Sequence, residues 1–270
     1  MKSEDYTQGE AFQVEKRTLF STEWLPVCAE AQLAGPGDFQ SLAVGGWGVV
    51  AVRDGAGTLR VLRNACRHQN MPVVGAPSGH CESFRCRFHG WTYDLAGRFV
   101  SAPPPMAPAD LKADHDLAVL AVTVAGGIVF FSLGASVAPP QLGTAPLPDH
   151  GGTIITEIDA NWKVVVEHLL GNRPRHEEGF VWQAPLLMVR RAGAKAIVEQ
   201  IVPHTFLRTR LFTHVLGEPA DAHHKSAALV LKHGCEHLQG ERAAGVMPVE
   251  DGAPLAEFHR RIERAYVGNS

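Results

Sequence analysis

The sequence lacks any long apolar run. None of its hydrophobic stretches approaches the roughly 18–20 residues that cross a bilayer. It also lacks strong charge of either sign. The formal net charge is −3 over 270 residues, whereas a dedicated nucleic-acid binder is usually clearly basic. There is no internal repeat and no low-complexity tract. The opening residues, MKSEDYTQGEAF, are polar and acidic, which is not the pattern of a secretory signal. The expectation is a cytoplasmic protein with no membrane and no nucleic-acid partner. Cysteine is sparse, at five: Cys28, Cys66, Cys81, Cys86 and Cys235. In a reducing compartment these read as ligands or buried thiols rather than disulfides. Histidine is what the chain has in excess, with 14 residues, and that makes metal binding worth seeking. The apolar share of 45% and charged share of 20% are those of an ordinary globular protein able to bury a core.

Composition shifts along the chain. Residues 1–40 mix charged, aromatic and small residues, with Ser21-Thr22-Glu23-Trp24 as a helix start. This segment is expected to pack on the C-terminal domain. Residues 41–140 read as an all-β domain. Short β-rich runs (VGGWGVVAVRD, GTLRVLRNA, ESFRCRFHG, TYDLAGRFVSA, LAVLAVTVAG, GIVFFSL) are broken by Gly, Pro and Asp-Gly at about ten-residue spacing. Pro103-Pro104-Pro105 marks a stiff exposed corner. The Pro/Gly-rich stretch 136–152 reads as a linker. Residues 150–270 read as α+β. In NWKVVVEHLLG, Trp162, Val165, Val166, Leu169 and Leu170 fall on a helical period. AIVEQIVPHTFLRTRLFTHVLG and AALVLKH read as strands, and PLAEFHRRIERAYV as a closing amphipathic helix.

The strongest chemical signal is Cys66-Arg67-His68, then seventeen residues, then Cys86-Arg87-Phe88-His89. Two thiolates and two imidazoles on two β-linked loops suit two chemistries. A structural zinc takes Cys₂His₂ in a tetrahedron. A Rieske [2Fe–2S] cluster takes two Cys on one iron and two His on the other. Zinc fingers usually pair Cys with Cys and His with His. Here each loop supplies one of each, which favours a two-iron cluster that both loops can reach. Four unrelated residues in a His-rich chain is the bland alternative.

The stretch NACRHQNMPVVGAPSGHCESFRCRFHGWTYDLAGRFVSAP resembles the Rieske domain of ring-hydroxylating oxygenase large (alpha) subunits. CRFHGWTYDLAGR is similar to that family's C-x-Y-H-G-W-x-Y-D-x-x-G-R run. The resemblance implies Cys66, His68, Cys86 and His89 as cluster ligands, with Trp91 and Tyr93 packing nearby. Gln69-Asn70 departs from the family's usual Arg-Gly. The extra cysteine pair of high-potential respiratory Rieske proteins is absent, so the resemblance points to the low-potential type; Cys81 reads as a buried thiol. The implied fold class is α+β, an all-β Rieske domain inserted into a truncated, helix-grip-like catalytic-type domain.

NWKVVVEHLLGNRPRH resembles the family's N-W-K-x-x-x-E-N-x-x-[ED]-x-Y-H-x-x-x-x-H segment, which supplies two His to a mononuclear Fe(II) facial triad. Asn161, Trp162, Lys163 and Glu167 match. In register, the acidic position becomes Gly171, the Tyr becomes Arg173, and the two His become Pro174 and Gly179. In LVLKHGCEHLQGERAAG, Cys235, Glu236 and Gln239 match the family's E-D-x-x-x-C-E-x-x-Q-x-G run, but the carboxylate position falls near Leu231. The expectation is a short homologue with its [2Fe–2S] cluster and without its own mononuclear iron; no catalytic residue is assigned. His168, His176 and Glu177 could rebuild an iron site, while His204 and His214 lie on later strands. RPRHEE otherwise reads as a solvated loop. His233-Gly234-Cys235-Glu236-His237 formally matches an inverted zinc-protease motif, and His223-His224 reads as a surface turn. The implied role is electron transfer to a catalytically complete large subunit in a trimer or hexamer, fed by a ferredoxin or NAD(P)H-dependent reductase. A self-sufficient oxygenase and a stand-alone electron carrier or redox sensor are the alternatives.

Overall fold

The computed structural model describes the chain apart from residues 105–112, 135–136, 143–146, 173–178, 249–251 and 268–270. It divides into two units, Pro26–Gly134 and a second made of Met1–Leu25 with Ala135–Ser270. The chain opens with helices α1 (Glu4–Thr7) and α2 (Gly9–Thr18). The helix start expected at Ser21-Thr22-Glu23-Trp24 is instead a helix end. The Ser21 and Thr22 hydroxyls donate back to the Arg17 and Thr18 carbonyls, so they serve the turn that leaves the helix.

The Pro26–Gly134 unit is antiparallel β structure. Its strands are β1 (Leu25–Ala29), β2 (Asp38–Val44), β3 (Trp47–Arg53), β4 (Leu59–Arg63), β5 (Ser78–His80), β6 (Phe84–Arg85), β7 (Thr92–Tyr93), β8 (Phe99–Ser101), β9 (Val119–Ala125) and β10 (Ile128–Ser132). Seven form one sheet in the order β1-β10-β9-β4-β3-β2-β5, and β6-β7-β8 form a second. The unit begins at Pro26 and not at residue 41. Residues 26–40 supply β1 beside β10 and the start of β2, and the Glu30 amide donates to the Gly127 carbonyl. The core gathers Phe39, Val50, Leu62, Phe84, Trp91 and Tyr93, and the Cys66 and Cys86 thiols lie within it.

The other unit holds β11 (His150–Ile158), helix α3 (Trp162–Gly171), β12 (Phe180–Gln183), β13 (Leu187–Ala192), β14 (Lys195–Thr205), β15 (Arg208–Leu216), and helices α4 (Ala222–Ala243) and α5 (Ala253–Val267). The sheet order is β11-β15-β14-β13-β12. Two expectations change here. AALVLKH lies inside α4, where its Ala, Leu and Lys are good helix formers. His223-His224 is the first turn of that helix, because the Asp221 side chain caps the His224 amide.

Helix α3 starts where the Asn161 side chain accepts the Lys163 amide. It is buried on nearly every side, so its two charged residues must find partners inside. Lys163 Nζ sits 2.5 Å from Glu15 Oε1, both side chains fully buried. Trp162 Nε1 and the Tyr266 hydroxyl donate to the same carboxylate at 2.7 and 2.6 Å. Glu167 accepts from the Tyr6 hydroxyl at 2.5 Å and from Arg242 at 3.1 and 3.2 Å, and meets His259 Nε2 at 3.0 Å. Burial, then the adjacent carboxylates, push both phenols far above their ordinary value, so both remain neutral donors. Removing one partner of such a pair leaves a charge stranded in a dry site. We expect Lys163→Met to lower unfolding free energy by about 3–5 kcal/mol, and the double variant with Glu15→Gln to recover part of that loss, both read by urea unfolding.

His214 on β15 is fully buried. It sits between Thr153 Oγ1 (2.8 Å from Nδ1) and Gln200 Oε1 (3.1 Å from Nε2), and Thr153 also meets His150 Nε2 at 2.9 Å. Burial, and secondly the charge of His150, push His214 down to about 3. An unfolded His titrates near about 6.5. Between those values the unfolded state binds the extra proton, so this contribution is complete above about pH 6.5 and is lost as pH falls toward 3. Stability should fall there with an added slope approaching about 1.4 kcal/mol per pH unit. Urea unfolding at several pH values, with His214→Gln removing that slope, measures it.

Candidate metal centre

Two loops of the β unit carry the candidate ligands and close in the same way. The Cys66 amide donates to the Met71 carbonyl at 2.8 Å, and the Asn70 amide to the Cys66 carbonyl at 2.7 Å. The Cys86 amide donates to the Trp91 carbonyl at 2.8 Å, and the Gly90 amide to the Cys86 carbonyl at 3.0 Å. Each loop therefore turns back on its own cysteine and carries its histidine across the top. The turn needs a left-handed residue. Gly90 supplies φ +70° and Asn70 supplies φ +57°. Asn is among the few side chains that tolerate this region, which accounts for Asn70 where the resembled family usually has Gly.

The loops bring Cys66, His68, Cys86 and His89 together. The thiols are buried, with Cys66 and Cys86 in the same core cluster. The imidazoles are half-buried above them, with Nδ1 facing Nδ1 at 3.2 Å. Two imidazole nitrogens on one tetrahedral metal, each at about 2.0–2.1 Å, lie roughly 3.3 Å apart, so this spacing fits a shared metal. The donor set is a thiol pair below and an imidazole pair above, which fits a two-iron cluster with Cys on one iron and His on the other. Among the described residues, no group of three or more His, Cys, Asp or Glu is placed to hold a single metal ion. A two-iron cluster asks the protein for only two ligands per metal.

Neighbours fix the site. The Trp91 ring stacks on His68, centroids 5.2 Å apart and planes 12° apart. The Tyr93 oxygen accepts the Arg67 amide at 3.1 Å and lies 3.2 Å from Cys66 Sγ, so its O–H is available to the sulfur. Burial, then the bond to Cys66, push the Tyr93 phenol up, which keeps it a donor. Burial pushes the Cys66 thiol up, and the Tyr93 hydroxyl pulls the other way. Tyr93 thus does more than pack; its place opposite Phe84 in the β6–β7 pair is what aims the hydroxyl. Cys81 is half-buried rather than buried, and no disulfide joins the five cysteines.

In the other unit, a cavity of about 820 Å³ lies between α3, α4 and the sheet. Its lining includes His168 and Asn172 from the end of α3, Arg190 and Glu199 from the sheet, and Leu231 and Gly234 from α4. Leu231, at the expected carboxylate position, thus faces a cavity. His168 lies within 3.0 and 3.2 Å of Asn172 Nδ2 by its two ring nitrogens, and burial lowers its pKa. Gly179 is left-handed (φ +81°), and a Cβ there would meet Arg191 at 2.9 Å. Pro174, His176 and Glu177 lie outside the described residues. His204 is exposed, and His214 is taken up by Thr153 and Gln200. HGCEH lies within α4, and its glycine has a steric reason: a Cβ at Gly234 would strike the His168 ring at 2.5 Å. The lining residues Arg190 and Glu199 carried no sequence signal.

Residues 23–121 match the Rieske [2Fe-2S] domain family, so the β unit is a Rieske domain. The chain is 30% identical over 176 residues to the glycine betaine monooxygenase oxygenase subunit of Chromohalobacter salexigens, covering 60% of this chain and 39% of that one. It is 38% identical over 98 residues to the biphenyl 2,3-dioxygenase subunit alpha of Rhodococcus jostii, covering 36% and 21%. The matches thus span less than half of these curated relatives. The fold is shared with the quaternary ammonium Rieske monooxygenase CntA: TM-score 0.76 at 18% identity, over 98% of this chain and 94% of that one. The β unit thus belongs to the Rieske [2Fe-2S] domain family, and the chain beyond it is similar to the large subunits of Rieske oxygenases, which are oxidoreductases. Among the described residues no helix is long and apolar enough to cross a membrane.

The left-handed turn gives a test. Asn70→Gly should leave acid-labile sulfide per chain unchanged, whereas the β-branched Asn70→Val should cost about 1–3 kcal/mol in urea unfolding and lower the sulfide content.

Proposed function

We propose that this chain is the electron-carrying subunit of a hetero-oligomeric Rieske oxygenase, with Cys66, His68, Cys86 and His89 as the cluster ligands. It takes electrons from a ferredoxin or an NAD(P)H-dependent reductase. It passes them to the mononuclear iron of a catalytically complete large subunit, in a trimer or hexamer, for O₂-dependent hydroxylation or demethylation. The observation that carries the reading is the contrast between two sites. One gathers two thiols and two imidazoles; the other has Leu231 facing the cavity at the expected carboxylate position.

When bound, the cluster supplies reversible one-electron transfer. The chain's own residues do the rest. Cys66 and Cys86 hold the sulfur side in the hydrophobic core, away from water. His68 and His89 turn Nδ1 toward each other, which leaves each Nε2 on the outer edge to hold or release a proton. Trp91 keeps the His68 ring plane in place by stacking.

The test is the ratio of iron to acid-labile sulfide in the chain purified alone without oxygen. We expect about two irons per two sulfides, together with co-purification of an intact large subunit on co-expression. About three irons per two sulfides would overturn the relay reading in favour of a self-sufficient oxygenase, and would direct mutagenesis to His168, His176 and Glu177.

A further inference from the structure

The two ligand loops carry fixed charge of one sign on their outer side. Arg67 stands between Cys66 and His68, while Arg85 and Arg87 flank Cys86. All three are exposed, and among the described residues none pairs with a carboxylate. Arg67 Nε donates to the Asp114 carbonyl at 3.1 Å, a neutral group. Arg85 reaches the second loop, since a Cβ at Gly90 would stand 3.5 Å from its Nη2. Arg87 folds back toward Gly75, its guanidinium 3.7 Å from where a Cβ there would stand. Over residues 64–104, Arg67, Arg85, Arg87 and Arg98 outnumber Glu82 and Asp94, although the chain as a whole has a formal net charge of −3. Of those two acids, Glu82 is exposed and Asp94 accepts the Ala96 and Arg98 amides.

A second observation is apolar. Phe88, beside His89, is 56% exposed, and it is the one aromatic among the exposed large apolar side chains of the described residues. A ring left in water gains by being covered. An apolar tip among fixed cations suits a small encounter surface steered by charge. A permanent subunit contact is larger and more apolar. His68 and His89 adjoin Arg67 and Phe88 in the chain and are half-buried, so a protein seated here meets the imidazole side of the site.

We propose that this face receives the electron donor, and that the donor is an acidic one-electron carrier protein. Its carboxylates meet Arg67, Arg85 and Arg87, and an apolar spot on it covers Phe88. One electron leaves the donor's reduced centre and enters the cluster held by Cys66, His68, Cys86 and His89; no bond forms or breaks. The proposal rests on the electron-relay reading and adds to it the entry face and the partner's sign of charge.

Isothermal titration of the full, cluster-loaded chain with an oxidised plant-type [2Fe–2S] ferredoxin, an acidic protein, tests it. Binding should weaken at least tenfold between about 20 and about 300 mM NaCl. Cytochrome c, a basic carrier, should not bind. Arg85→Gln with Arg87→Gln should weaken ferredoxin at least tenfold at the lower salt and remove most of the salt dependence. Phe88→Ser should weaken it by a similar factor at both salt levels. The visible spectrum and acid-labile sulfide of each variant, with reduction by the small cation methyl viologen, check that its cluster is in place. Absence of ferredoxin binding at the lower salt, binding indifferent to salt, equal binding of cytochrome c, or unaltered binding in the double variant would each overturn the proposal. It also falls if the double variant loses co-purification of the large subunit yet keeps ferredoxin, since the face would then serve the acceptor. Failure of the relay reading shows separately, as about three irons per two sulfides in the chain alone.

Discussion

Two carboxylates buried beside one helix organise the larger unit. Glu15 from α2 and Glu167 from α3 each gather three side-chain partners in a dry interior: Trp162, Lys163 and Tyr266 for one; Tyr6, Arg242 and His259 for the other. These partners come from α1, α3, α4 and α5, so together with α2 the two anions tie all five described helices of the unit into one arrangement. Such networks add little net stability over a well-packed apolar core, because desolvation offsets the attraction. We read their role here as fixing geometry, since few packings satisfy both anions at once. With α3 and α4 fixed, His168, Asn172 and Leu231 come to line one cavity.

The β unit is organised by a different constraint. Each cysteine loop is closed by its own backbone, and each needs one left-handed residue to do so. The repetition places two thiols in the core and two imidazoles above them, a separation of sulfur from nitrogen that a mixed two-iron site requires. Trp91 and Tyr93 follow the second loop directly in the chain. They reach back to the first loop through stacking on His68 and a hydroxyl beside Cys66. The second loop thereby orders the first.

The four candidate ligands were legible because their spacing is local. One or two residues separate Cys from His within each loop, and the intervening β-rich run is short enough to bring the loops together. The α3 helix was legible from its apolar period, whereas the Asn161 cap emerged only from the structure. The first two helices were not, because a polar, acidic opening carries little periodic signal, and Glu15 gives no hint of burial until Lys163 and Trp162 stand beside it. AALVLKH misled for a related reason: its branched and apolar residues suit a strand locally, but the Asp221 cap and the long run around it set a helix. The boundary of the β unit was displaced because residues 26–40 join the sheet through strands far away in sequence.

The sequence by itself determined the ligand types, the loop lengths between them and the likeness to one family of oxidoreductases, since these depend on short-range order along the chain. Tertiary structure alone decided which charges are buried and paired, where the Tyr93 hydroxyl points, and that Leu231 and Arg190 line the same cavity. Those properties arise between residues tens to hundreds of positions apart, where burial and dielectric depend on the packed neighbours and not on the local pattern of residues.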